Sequence, residues 1–310
     1  MKGSLNINHH FIELTEKHFN SKVLSYKKLG NGATGNVYKL ELAEAPFAVA
    51  LKISSDSELT KQESNYLTIL SDKVKHGFPK VYFTVFDVPG QYAICMELFD
   101  GVSANSVKSS LKILFKGKIF ADGAINALFE LHKVTNNKFG PIDNAVFESW
   151  NDYYKPFAES VLSFAQKRAA SGELAANVII AMETAFSHYD EIFAEHIEKP
   201  ALSHGDFWPP NLILNPKTME FLGAVDPFNV MWADPEYDLF AMLAGKGKQY
   251  KLVETYKKKN RVSKHLYLKL EFYALFNEMD WYSKIGSKYD SFLIYKSKRL
   301  LSELKKAKIV

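Results

Sequence analysis

The sequence predicts an α+β chain in two parts, a strand-rich first third followed by a mainly helical remainder. Three observations carry this. From Val23, VLSYKKLGNGATGNVYKLELA reads as strand, glycine-rich turn and strand. PFAVALKIS alternates with a two-residue period, placing Phe47, Val49, Leu51 and Ile53 on one face and Ala48, Ala50 and Lys52 on the other. After Phe99-Asp100-Gly101 the apolar residues recur at helical spacing instead. The expected division is residues 1–97, a hinge at 98–101, and 102–310.

Composition narrows the class. With 47% hydrophobic and 14% aromatic residues in 310, the chain can fill a substantial core. A net charge of +4 is mild, and the lysine runs at 257–259 and at 305, 306 and 308 read as a solvated helix face and a basic end, so no nucleic-acid partner is expected. Cys95 is the single cysteine, which rules out an intrachain disulfide and favours a cytoplasmic protein. No apolar stretch approaches the length of a membrane span, so no membrane partner is expected. Oligomeric state stays open.

Taken in order, Gly30, Gly32 and Gly35 with Val37 spell G-x-G-x-x-G-x-V. Such a turn can bring backbone amides close to phosphates, although most glycine-rich turns only turn. A dinucleotide fold would place a helix next; Tyr38, Leu40 and Leu42 alternate and argue for a strand. In the following strand Ala48 and Ala50 share the face of Lys52, leaving room for a flat ring with an ammonium beyond it. The alternative is an edge strand with a solvated lysine. Ser55 and Glu58 suggest a capping box for a helix over 56–70, in which Glu63 shares a stripe with Leu59, Leu67 and Leu70. A carboxylate turned inward calls for a cation, and Lys52 is the nearest candidate. KVYFTVFDV and QYAICMEL read as two strands joined at Pro89-Gly90. The extended segment after them offers backbone groups to an adenine edge, with Met96 and Phe99 either on the ring or simply in the core. Residues 104–135 carry two helical patterns, within which His132 reads as a packed core histidine, and 147–195 read as further helices.

ALSHGD then enters a loop, HGDFWPPN, over 204–211. Asp206 is the candidate base, able to take the proton of an attacking hydroxyl. A turn aspartate capping amides is the plain alternative. Asn211 opens the strand NLIL, Asn215-Pro216-Lys217-Thr218 turns the chain, and EFLGAVD brings Asp226 back, so hairpin pairing sets two oxygen ligands side by side. A carboxylate base with a carboxamide and a second carboxylate suits a magnesium nucleotide. Asp234-Pro235-Glu236 reads as cap, first-turn proline and first-turn acid, and Asp238 could hold the loop backbone, the alternative being a plain surface acid.

With these residues in place the chain resembles the protein-kinase-like superfamily, in the branch of aminoglycoside phosphotransferases, fructosamine kinases and choline kinases. LGNGATGNVY resembles the glycine-rich loop, VALK the strand of the phosphate lysine, Glu63 its helix partner and MELFDG the hinge. HGDFWPPN resembles the HGD loop of small-molecule kinases, and VDPFNVMWADPEYDLF their IDP…GDPxYDLA segment. The resemblance implies a bilobal fold, with a five-stranded antiparallel sheet and one helix in the small lobe and a larger helical lobe. It implies ATP in the cleft, contacted by Val37, Ala50, Lys52, Met96, Glu97 and Phe99. It places Mg2+ on Asn211 and Asp226, with His204 and Asp238 supporting the loop.

The expected activity is transfer of the ATP γ-phosphate to a hydroxyl of a small polar molecule: an amino sugar, a glycated amine or an amino alcohol. Trp208, Asp234, Glu236 and Trp281 are candidate substrate contacts, the alternative being that they pack or face solvent. A catalytically silent nucleotide-binding module or a protein kinase are the competing readings. The first would normally lack one of the catalytic groups, and Trp208, where protein kinases usually carry a lysine, argues against the second.

Overall fold

The computed structural model describes residues 7–31, 35–286 and 288–309. By its internal contacts the chain forms two compact units, 1–112 with 210–228, and 113–209 with 229–310.

The first unit opens with α1 (His9–Phe19), capped by Asn8, whose side chain accepts from the His10 N–H, and closed by Asn20 in the left-handed region. Strands β1 (Val23–Asn31), β2 (Asn36–Leu42), β3 (Ala48–Ser54), β4 (Val81–Val85) and β5 (Tyr92–Glu97) form an antiparallel sheet in the order β1-β2-β3-β5-β4. Period-two alternation gives the sheet two apolar faces. Leu40, Val49, Leu51 and Ile53 pack with Phe11 and Leu14 of α1. Ala50, Ile94 and Met96 pack with Leu67 of α2 (Ser57–Lys73). β3 lies inside the sheet, not at its edge, so Lys52 is buried. Two local expectations are corrected. The cap of α2 is Asp56, not Ser55: Asp56 takes the extended conformation and its Oδ1 accepts the Glu58 and Leu59 amides. Phe47 precedes β3 at φ 63° and is exposed, so the strand's inner face begins at Val49.

The unit extends past the expected hinge. β6 (Val102–Ser103) pairs with β9 (Leu212–Leu214), which pairs with β10 (Phe221–Ala224). This hydrogen bonding ties the Asn211–Asp226 hairpin to the sheet-bearing unit. An Asx turn closes the hairpin, the Asn215 carboxamide accepting the Lys217 and Thr218 amides.

The second unit is helical. α3 (Ser110–His132) is one continuous helix where two helical patterns were expected, and it carries Gly117 where a side chain would press on the Tyr250 ring. β7 (Gly140–Pro141), β8 (Ala201–Leu202) and β11 (Met231–Ala233) form a small sheet in the order β7-β11-β8. Around it stand α4 (Trp150–Ala170), α5 (Ala176–Ser187), α6 (Tyr189–Ile192), α7 (Gly247–Tyr250), α8 (Leu252–Lys259), α9 (Leu266–Ile285) and α10 (Asp290–Ala307). Their core is aromatic: Tyr154 stacks on Trp150 at 5.1 Å and meets Tyr273 edge-on at 5.0 Å. Lys296 and Arg299 of α10 clamp the buried Glu271 of α9 at 3.1 and 3.0 Å. Among the described residues no helix is long and apolar enough to cross a membrane.

Candidate active site

In the first unit the residues expected at the nucleotide phosphates form one connected set. Ala50, Lys52 and Met96 follow from strand alternation, and Val37 and Ala50 share an apolar cluster with Met96. The Lys52 ammonium lies 2.7 Å from Glu63 and 2.6 Å from Asp226, with 5% of its side chain exposed. Burial alone would lower its pKa, but the two carboxylates outweigh that and hold the lysine protonated above its usual range. Glu63 is pushed up to about 7, first by burial and then by Asp226 competing for the same ammonium, against the pull of Lys52. Asp226 sits at φ 59° beside the hairpin, where the Asn211 carboxamide donates to its carbonyl at 3.4 Å and the Val225 amide donates to the Asn211 carbonyl at 2.9 Å.

The other expected nucleotide contacts divide. Gly35 is required, since a Cβ there would lie 2.4 Å from the Ile53 carbonyl oxygen; Gly30 stands in open space, and Gly32 lies outside the described residues. Phe99 rests on Gly223 of β10, where any side chain would strike its ring. Glu97 is exposed; its amide donates to the Lys80 carbonyl and its carboxylate accepts the Lys80 amide at 3.3 Å. Burial lifts the Cys95 thiol to about 12, which makes it a packing residue rather than a nucleophile.

The donor set fits a magnesium nucleotide. Among the described residues no three acidic, histidine or cysteine side chains gather as a cage, and magnesium characteristically takes one or two protein oxygens with the rest from phosphate and water. Asp226 gives one oxygen to Lys52 while its side chain stays 43% exposed.

Glu63 carries a testable pH effect. Its pKa rises on folding, so its contribution to stability is complete below the ordinary value of 4.5 and drains away as pH climbs through about 7. Melting curves across that window should show the parent losing stability relative to Glu63→Gln. Parallel pH profiles for the two proteins would refute the shift.

In the second unit the loop 204–209 is held by its backbone. Asp238, fully buried, accepts the Gly205 amide on Oδ1 at 2.7 Å and the His204 amide on Oδ2 at 3.0 Å. His132, at the end of α3, points Nε2 at the same Oδ2 at 3.1 Å. A carboxylate only accepts, so the proton of that imidazole belongs on Nε2. The His204 ring turns back to accept the Asp206 amide on Nδ1 at 3.3 Å, and Gly205 at φ 76° makes the turn. Asp206 itself is partly buried. Trp208 is partly buried with its indole Nε1 enclosed and unpartnered.

Two substrate candidates are corrected. Asp234 accepts from the Glu236 amide, Tyr273 Oη at 2.7 Å and Lys269 at 2.6 Å. Glu236 takes the Ser263 amide and hydroxyl at 2.6 and 2.7 Å, and Lys269 at 2.7 Å. Both are buried with all four oxygens engaged, so they brace the helical unit. A cleft bordered by Lys269, Ser263, Trp150 and Phe193 lies beside this cluster, and no residue of the 204–211 loop lines it. Trp281 is partly buried on α9. His132, expected only to pack in the core, also meets the Asp238 that holds the loop backbone.

The chain matches the fructosamine kinase family model over residues 5–303. A protein of Haemophilus somnus 129PT named as a fructosamine-3-kinase superposes with a TM-score of 0.68 at 15% identity, covering 95% of this chain and 96% of that one. A thermostable mutant of aminoglycoside phosphotransferase APH(4)-Ia, in ternary complex with AMP-PNP and hygromycin B, gives 0.69 at 12% identity, with 96% and 98% covered. ADP-bound APH(2'')-Ib gives 0.62 at 18% identity, with 96% and 98% covered. At these identities the solved structures speak for the bilobal kinase-like fold. No curated protein matches the chain by sequence. The chain therefore belongs to the fructosamine kinase family and is an ATP-dependent small-molecule kinase with a kinase-like fold.

Proposed function

We propose that the enzyme phosphorylates a hydroxyl of a glycated amine, with Asp206 as base and magnesium as the nucleotide's metal. The carrying observation is Lys52, a buried ammonium shared between Glu63 and Asp226, which is the arrangement that pairs with nucleotide phosphates. The substrate oxygen attacks the γ-phosphorus, its proton passes to the Asp206 carboxylate, and the bridging P–O bond breaks to release ADP. Asn211 and Asp226 would hold the magnesium, whose charge offsets that of the phosphates when bound. Asp238 and the ring of His204 keep the Asp206 backbone fixed, so little reorganisation is left to the reaction.

Two features favour a glycated amine over a polycationic amino sugar. The family model is that of fructosamine kinases. Asp234 and Glu236, which could have matched several ammonium groups, are spent inside the fold. Beside them, the partly buried Trp208, whose indole N–H is enclosed, would offer its aromatic face alone to one cationic amine. ADP release should be measured with MgATP against glycated lysine, amino sugars, choline and simple sugars. Turnover confined to the glycated amine is expected. Turnover of another class in its place would overturn the substrate, and none with any member would overturn the catalytic reading.

A further inference from the structure

The first three turns of α3 expose a face that the catalytic reading does not use. Leu111, Leu114, Phe115 and Ile119 are 67, 71, 79 and 48% exposed, at the spacing of a single helical stripe. Ile113, Phe120 and Ala124, on the opposite side, are buried. Four large apolar side chains standing together in water form the kind of patch that marks an interaction surface.

The charge around the stripe identifies the partner. Between Asp100 and Asp122 the sequence carries lysines at 108, 112, 116 and 118 and no acidic residue. α7 packs on the buried side of α3, its Tyr250 against Phe120 at 4.6 Å, and leaves the stripe uncovered. Asp122, the first acid along the helix, is paired with both Lys118 and Lys259, and the Lys112 ammonium, which donates to the Pro216 carbonyl, keeps its charge. We propose that this face docks on an anionic lipid surface, the apolar stripe entering the interface and the lysines meeting headgroups.

A second copy of the chain fits worse, because a two-fold contact would set these lysines against themselves. A grooved protein partner would have to bury Lys118, which lies within the stripe; at a bilayer its stem lies along apolar surface while the ammonium stays in water. Surface docking requires no membrane-spanning helix.

The full chain should float with phosphatidylcholine vesicles containing roughly one third phosphatidylglycerol, and lose that binding in high salt or on phosphatidylcholine alone. Lys116→Gln with Lys118→Gln should weaken binding by roughly 30-fold, and Leu114→Asn with Phe115→Asn by at least about tenfold. ATP binding should be unchanged in both, since none of these residues belongs to the catalytic or nucleotide set. Absence of binding to anionic vesicles, or equal binding to neutral ones, would overturn the proposal. So would light scattering showing a dimer that the Leu114/Phe115 variant dissociates, since a second copy would then cover the face.

Discussion

Replacing Asp206 by Asn is expected to lower turnover by roughly 10²- to 10⁴-fold, the range a positioned general base contributes, while ATP affinity changes by less than about twofold. The separation follows from how the loop is held. The Asp206 amide is bound to His204 Nδ1 at 3.3 Å, and its carbonyl accepts the Trp208 amide at 3.1 Å. Both are backbone contacts, so an isosteric carboxamide should leave the loop in place. Lys52, Glu63 and Asp226, the charges proposed to meet the nucleotide, form their own ion-paired set within the other compact unit. Single-turnover kinetics with the substrate found in the panel, together with calorimetric titration of MgATP, would check both halves. Parent-level turnover in the variant would remove Asp206 from the role. A matched loss of ATP affinity would show that the carboxylate acts in nucleotide binding instead.

The readable parts of this site are those set by short-range periodicity. Strand alternation put Ala50 and Lys52 on the face opposite Val49 and Leu51, and they lie there. Helical spacing turned Glu63 inward, and it meets Lys52. A turn of known chemistry between two short apolar runs brought Asn211 to Asp226. Each inference spans one element or one hairpin, where local geometry leaves few choices.

What could not be read depends on partners distant in sequence. His132 sits on an apolar helix face, which is how a core histidine looks; its acceptor, Asp238, is 106 residues away. Asp234 and Glu236 looked available to a ligand because nothing near them in sequence is basic. Their cation, Lys269, arrives on α9, 33 residues beyond Glu236. The cap of α2 failed for another reason: Ser55 and Asp56 are both good capping residues, and the choice between them rests on a backbone angle that composition does not encode. The two helical patterns over 104–135 proved to hold one continuous helix, in which the Tyr250 ring lies close enough to Gly117 to press on any side chain there.

Asp238→Ala should destabilise the protein by about 3–5 kcal/mol, the cost of removing one partner from a buried charged network. The lost carboxylate leaves the His204 and Gly205 amides and the His132 Nε2–H as buried donors with no acceptor in their place. Activity should fall too, because the same amides set the path of the loop carrying Asp206, and a displacement of roughly 1 Å at a catalytic group can cost about a hundredfold. Asp238→Asn is the sharper comparison. Its carboxamide keeps one acceptor oxygen but presents N–H where a backbone N–H or the imidazole expects a lone pair, so it should lie between parent and Ala in stability. His132→Leu removes one donor and leaves both amides satisfied, so its loss should be smaller than that of Asp238→Ala. Chemical denaturation of the three variants beside Asp206→Asn tests the order. The expected sequence is Asp206→Asn near the parent, then His132→Leu and Asp238→Asn, with Asp238→Ala lowest. An Asp238→Ala protein that unfolds within about 0.5 kcal/mol of the parent, the range of an ordinary surface change, would mean that solvent satisfies those amides and that the loop does not depend on the carboxylate.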